Sequence, residues 1–374
     1  MASSSSTSAA RPPTPSWAIL AVIPQVSGPA VAADLSLALA APPRVTALTV
    51  QPRVSPDPTT PDCYPASSPQ TAPAASSSPP PRGASPTARS GLSLPTAASS
   101  CTGSSSIEGY FICNTRAATA FLLPDPDPAG PIMHPGNLGL IATLAGDGYM
   151  VAELQPLLWT DRATLLCFSS DTAAWALRYP LPGRPWVSSG VISSDEELWW
   201  VDITLGILNC NPFTDEPVLR FFPLPAGKEL PFQPGGTDEL EMCRCVKVST
   251  GKLRFVEMTA GHNPRRPPRF TMWTLSPANP VDPWTTEYTV GLDTIWAAES
   301  YSATGLEAKL PSLAAIHPTN PNIVYFFLDA HIFVVDMGAA RVGDCDVHKV
   351  MQPPSELLSS GFVHAWELPQ PLHP

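Results

Sequence analysis

Forty-eight prolines, short apolar runs alternating at period two, and a recurring strand–turn–strand unit predict an all-β protein, an irregular β-propeller-like repeat of antiparallel sheets with few short helices. Proline removes a backbone donor and breaks helix interiors, so a chain this rich in it is built from short strands and turns. Its 374 residues suffice for one large domain or two small ones.

Residues 1–15 read as a disordered tail of Ser, Ala and Pro, with Arg11 the lone charged side chain and a weak likeness to a transit peptide. Residues 16–64 form an N-terminal β segment. Within it Asp34–Leu39 and Arg44–Val50 alternate polar and apolar residues, as half-buried strands do, and Pro42-Pro43 separates them. Residues 65–106 are almost all Ser, Ala, Pro and Thr, with one apolar hint at Leu92-Ser93-Leu94. Such a segment buries too little apolar surface to offset its ordering entropy and reads as low-complexity disorder.

Residues 107–368 form the repetitive β domain, and 369–374 a tail. Its unit is an aromatic and β-branched run closing on a small polar residue, a turn, then a second apolar run often ending in Leu-Pro. The runs pivot at Asn114, Ser169, Asn211, Leu275 and Asp336, separated by 55, 42, 64 and 61 residues. Further strands precede the pivots at Glu197–Asp202, Lys252–Val256 and Asn322–Leu328. Two to four strands per unit suit a propeller blade, which hides its faces only by stacking on neighbours. A pair of irregular β-sandwiches is the alternative. The one helix read is short, Ser355–Ser360, capped by serine after Pro353-Pro354 and stopped at Gly361.

A net charge of −11, with 21 basic against 32 acidic residues, argues against nucleic-acid binding. The densest basic cluster, Arg265, Arg266 and Arg269, sits among prolines and reads as a solvated loop. Nothing approaches the length of a membrane span. Eight scattered cysteines, no Asn-x-Ser/Thr sequon and no signal peptide favour an intracellular, reducing location, cytoplasmic or nuclear, with organelle import an alternative.

Catalytic signatures are missing, so no catalytic, cofactor-binding or metal residue and no cofactor is assigned. Cys243 and Cys245 lack a partner pair at zinc-ligand spacing and read as core. Asp344, Asp346 and His348 share one face of a strand, as metal ligands or as an ordinary solvated face. His134 and His317 precede prolines and read as loop-shaping residues that hydrogen-bond structurally; lining a channel mouth is the alternative. Asp195-Glu196-Glu197 reads as a hairpin tip, and Trp175, Trp199, Trp200, Trp273, Trp284 and Trp296 as fillers between sheets.

Ser16–Leu20, Pro42–Val45, Pro131–Leu140, Val151–Pro156, Leu198–Asp202, Glu299–Tyr301 and Ile316–Pro318 together resemble domain-of-unknown-function family 1618, a plant family greatly expanded in grasses. The resemblance covers Trp17–Leu368 apart from the low-complexity stretch and implies no activity and no catalytic residues. More distantly, the strand–polar–turn–Trp–Leu-Pro unit is similar to the kelch-like propellers that follow F-box domains, although the N-terminal tail shows no F-box-like helical module. The family has an apolar strand pair where this chain has its Ser/Pro/Ala segment. Read as GC-rich codons, Ala66–Ser78 permits apolar residues in a frame shifted by two bases, which makes a frameshifted gene model an expectation that the transcript sequence tests. The expected function is a non-catalytic module that binds another protein. Alternatives are a propeller enzyme or small-ligand binder using the central channel, and a decayed or mis-annotated family copy.

Overall fold

The computed structural model describes residues 15–27, 33–54, 66–67, 93–97, 109–126, 130–143, 148–157, 162–182, 186, 188–231, 238–261, 267–279, 282–348 and 359–368. Its strands fall into six sheets. Trp17–Ala21 (β1), Gln25–Val26 (β2), Leu35–Ala38 (β3) and Val45–Val50 (β4) open the chain. Ala66–Ser67 (β5), Ser93–Ala97 (β6), Tyr110–Asn114 (β7) and Thr119–Leu122 (β8) make blade I. Leu138–Ala142 (β9), Tyr149–Pro156 (β10), Arg162–Ser169 (β11) and Ala174–Pro182 (β12) make blade II. Blade III holds Gly190–Ser194 (β13), Glu197–Asp202 (β14), Gly206–Cys210 (β15) and Arg220–Pro223 (β16). Blade IV holds Arg244–Ser249 (β17), Lys252–Thr259 (β18), Arg269–Leu275 (β19) and Trp284–Gly291 (β20). Blade V holds Ser312–Ile316 (β21), Ile323–Leu328 (β22), His331–Asp336 (β23) and Arg341–Val347 (β24). The last strand, Val363–Glu367 (β25), pairs antiparallel with β1, so both ends of the chain share blade VI.

Blades I to V are antiparallel meanders. Every pivot read from the sequence falls at the end of a blade's third strand: Asn114 on β7, Ser169 on β11, Asn211 just past β15, Leu275 on β19 and Asp336 on β23. The repeat is therefore the blade. Blade VI departs from the meander, because β4 runs parallel to β1 and antiparallel to β3. Its period-two pattern is visible in β4, where Thr46, Leu48 and Val50 are buried and their neighbours half-buried.

Six apolar clusters close these sheets into a ring, each shared by two neighbouring blades. Phe111 and Cys113 meet Leu20, Leu48 and Trp366 between blades VI and I. Ile112 meets Leu140 and Phe168 between I and II. Leu154 and Cys167 meet Trp200 between II and III. Trp199 and Phe222 meet Phe255 and Trp284 between III and IV. Phe270 and Met272 meet Phe326 and Phe333 between IV and V. Tyr325 and Phe327 meet Trp17 and Val363 between V and VI. A sheet with two oily faces is stable only when both are covered, and the ring covers both for every blade. This closure selects the all-β propeller-like fold over a pair of sandwiches.

The first strands of neighbouring blades touch around the axis. Leu313 N–H donates to Met242 O at 2.8 Å and Thr250 N–H to Pro318 O at 2.5 Å, so β17 and β21 run in the same direction. Between blades II and III the approach is close: a Cβ on Gly139 would lie 2.7 Å from Val191, which explains why only glycine fits.

The tail 1–14, the helix expected at Ser355–Ser360 (of which 359–360 are described, in a turn), Arg265 and Arg266 lie outside the described residues. So does most of 65–106, apart from β5 and β6; β6 carries Ser93 and Leu94 of the apolar hint. Helix is scarce among the described residues: Asp238–Glu241 (α1), Leu292–Trp296 (α2) and Glu299–Ser302 (α3), with a 3-10 turn at Pro135–Asn137.

Candidate functional site

The ring has two unlike ends. At one, the first strand of each blade turns back into the second, and the third into the fourth. Several of these links are tight, whereas β15–β16 and β19–β20 are joined by longer ones. Asp195 and Glu196 form a two-residue hairpin with φ of 51° and 62°, as the charge run predicts. Ala118, Ala173, Thr250 and Ala340 take positive φ at four more turns on this end, which among the described residues leaves only Asp329 of the positive-φ non-glycine residues at the other. His317 also lies here. Thr319 N–H donates to its Nδ1 at 3.2 Å, its ring packs on Trp17 at 4.6 Å, and its own carbonyl accepts from Ser249. It is a structural histidine, and burial lowers its pKa.

At the other end the first strands begin and the connections between blades cross, carrying the helices. The segment Pro131–Asn137, singled out above by resemblance, is pinned here by the other signature residues. The fully buried Glu153 carboxylate accepts the backbone N–H of Met133 at 2.8 Å and of His134 at 2.5 Å, and an amide proton of Gln155. Gln155 donates to Pro131 O at 2.9 Å, and Asn137 Nδ2 to Leu154 O at 2.8 Å. Trp200 reaches across from blade III to donate its indole N–H to Asn137 O at 2.7 Å. Burial pushes Glu153 above the ordinary carboxylate range, with the donated hydrogen bonds opposing the rise. The loop is thereby held rigid while its outer side chains, Met133 and His134, face solvent.

Exposed apolar side chains follow the same asymmetry. Among the described residues Phe121, Leu122, Met133, Leu157, Leu310 and Val347 stand at or lead into the strand-start end, against Leu39 and Val218 at the tight-turn end. Met133 is 61% exposed and Leu157 42%. Charges behind this surface are mutually satisfied. Arg244 donates to Ile203 O, Lys228 O and the Glu257 carboxylate, which also pairs with Lys228. Toward the tight-turn end Arg254 likewise grips Glu287 with two contacts of 3.1 Å.

Of the residues weighed for chemistry, Cys243 and Cys245 lie at the inner edge of blade IV. Burial raises both thiols, Cys245 to about 11, so they stand as protonated core groups. Asp344, Asp346 and His348 do not converge: Asp346 faces Arg44 at 4.0 Å, while the His348 ring packs on Phe327 at 5.0 Å. Among the described residues no three His, Cys, Asp or Glu side chains are placed to hold a metal ion. Arg269 is exposed at the start of β19. Trp199, Trp200, Trp273 and Trp284 are buried between blades, while Trp175 packs partly buried against the cluster between I and II and Trp296 against that between IV and V. Sequence reasoning passed over Glu153 and Gln155 as functional groups; their carboxylate and amide inside the otherwise apolar Tyr149–Pro156 run were the available signal.

Residues 200–325 match the model of a family described as "Protein of unknown function (DUF1618)". The match runs from Trp200 in blade III through blade IV to Tyr325 in blade V and bears out the family resemblance over that span. No curated protein matches the sequence. Among solved structures, the chain is similar to the WD40 domain of SCAP from fission yeast at 10% identity, over 70% of this chain and 50% of that one, with a TM-score of 0.35. It is similar to the Cps50 (Swd1) β-propeller domain of Myceliophteria thermophila at 9% identity, over 74% and 93%, with a TM-score of 0.35. A Bacteroides uniformis protein described as a candidate 6-phosphogluconolactonase gives 15% identity over 66% and 65%, with a TM-score of 0.37. The chain spans less than two thirds of the length of the first and third. Among the described residues no helix is long and apolar enough to cross a membrane.

Proposed function

We propose that the chain is a non-catalytic protein-interaction module whose partner docks on the strand-start end of the ring. One observation carries the reading: exposed apolar side chains gather on that end, and one of them, Met133, stands on a loop that buried hydrogen bonds hold rigid, so little ordering entropy is lost there on contact. The thiol state of the six described cysteines fits a reducing compartment and supports an intracellular location. The resemblance to the grass-expanded plant family, and more distantly to kelch-like propellers, belongs to the same proposal.

The test is proximity labelling with the full chain as bait. The double variant Met133→Asp/Leu157→Asp loses the neighbours that wild type labels, while Val218→Asp on the opposite end keeps them. Retention by the first and loss by the second overturns the reading. A thermal melt on each purified variant shows that the fold is intact.

A further inference from the structure

Blade VI is led in by a turn at Ser359–Phe362. Phe362 N–H closes it on Ser359 O at 3.1 Å, and Gly361 N–H donates to Ser359 Oγ at 3.3 Å. Ser359 and Ser360 are only 1% and 3% exposed. Their partners belong to blade IV, two places around the ring. Lys247 Nζ donates to Ser360 O at 2.8 Å, and the Cys245 thiol is hydrogen-bonded to Ser360. The Glu241 carboxylate at the end of α1 presses on Gly361, where a Cβ would sit 2.5 Å from Oε2, so any other residue forces that carboxylate aside.

A segment that joins blade VI yet touches blade IV passes in front of β21, the inner strand of blade V. It therefore lies across the axial space that the first strands enclose. We propose that Ser359–Gly361 is a stopper: it seals the strand-start end of the axis, fastened by Lys247 and fitted against Glu241, and its release uncovers Cys245 and Lys247. The fastening is polar, whereas every blade junction is built around an apolar cluster. A few hydrogen bonds hold less than a packed interface, so the turn opens before the sheets part. Burial lowers the Lys247 amine's pKa and raises that of Cys245, as expected of groups the turn covers. This inference does not depend on where a partner docks.

Alkylation of the native full chain, read cysteine by cysteine by peptide mass spectrometry, tests it. Cys113, Cys167 and Cys210 are buried between blades and serve as gauges of whole-ring unfolding. Lys247→Met keeps the apolar stem and removes the donor; Cys245 then reacts at least tenfold faster while the three gauges stay slow. Lys247→Ala, which removes the stem with the donor, gives the same result. Unchanged Cys245 reactivity in both variants overturns the stopper, and so does acceleration of all four cysteines in step, which makes opening a property of the whole ring.

Discussion

The two ends of the ring solve opposite problems with the same strands. At the tight-turn end the chain only reverses within a blade, and side chains such as Glu196 and Ala173 accept left-handed backbone where the turn is short. At the strand-start end the chain must travel from the outer edge of one blade to the axis of the next. Those connections are long, and polar side chains drawn from within the sheets tie them down: Glu153 and Gln155 from β10, and Trp200 from β14. Economy at one end and anchorage at the other leave the anchored end with the surface free to specialise.

This contrast can be broken or sharpened by substitution, the largest effect coming from the anchor shared by two blades. Trp200→Ala opens a cavity between blades II and III and frees Asn137 O. It costs about 3–5 kcal/mol in denaturant unfolding. Glu153→Ala strands two backbone N–H groups and the Gln155 amide, and costs about 1–3 kcal/mol. Hydrogen exchange at 131–137 rises with it, and at 195–196 it does not.

The same carboxyl gives a pH test. Folding raises its pKa above the ordinary 4.5, so the folded state holds a proton that the unfolded chain has released. Glu153 therefore subtracts stability as pH climbs from the ordinary carboxylate range through the raised value, and acidification across that window restores it. Glu153→Gln flattens this part of the stability–pH curve. A wild-type curve with no such fall assigns Glu153 an ordinary titration.

At the tight-turn end, Asp195→Asn/Glu196→Gly supplies the residues this hairpin conformation favours and stabilises by about 1 kcal/mol. It leaves the set of labelled neighbours intact. Smallest of all, Met133→Asp/Leu157→Asp shifts stability by no more than about 0.5 kcal/mol, because both side chains already face water, yet it abolishes partner labelling.

The third strands were legible because each couples a continuous apolar run with a polar stop, as at Cys113-Asn114 and Phe168-Ser169. Strand β14 was read to the residue for a related reason, since Leu198–Val201 is apolar between carboxylates. Blade VI was not legible as a blade. The pairing of Trp17 with Glu367 joins residues from opposite ends of the chain, and a local pattern carries no trace of so distant a partner. α2 and α3 were missed because Leu292–Ser302 holds only two short turns flanked by strand-like runs, too brief for a helical period to emerge. The candidate surface was legible only as motif: Pro131–Asn137 stood out, but nothing in its composition announces that Glu153 and Trp200 hold it. His317 was weighed alongside His134, and only three-dimensional placement separates a histidine locked against Trp17 from one facing solvent.

The meeting of β1 with β25 sets a schedule for biogenesis. On the ribosome the first strand emerges hundreds of residues before its mate, and until Val363–Glu367 is synthesised Leu20 and Trp17 have no Trp366 or Val363 beside them. Nascent blades queue with two raw flanks, and the arrival of β25 seals both at once. A premature stop anywhere upstream of Val363 thus yields an open arc with oily margins, a form that cellular quality control is built to detect.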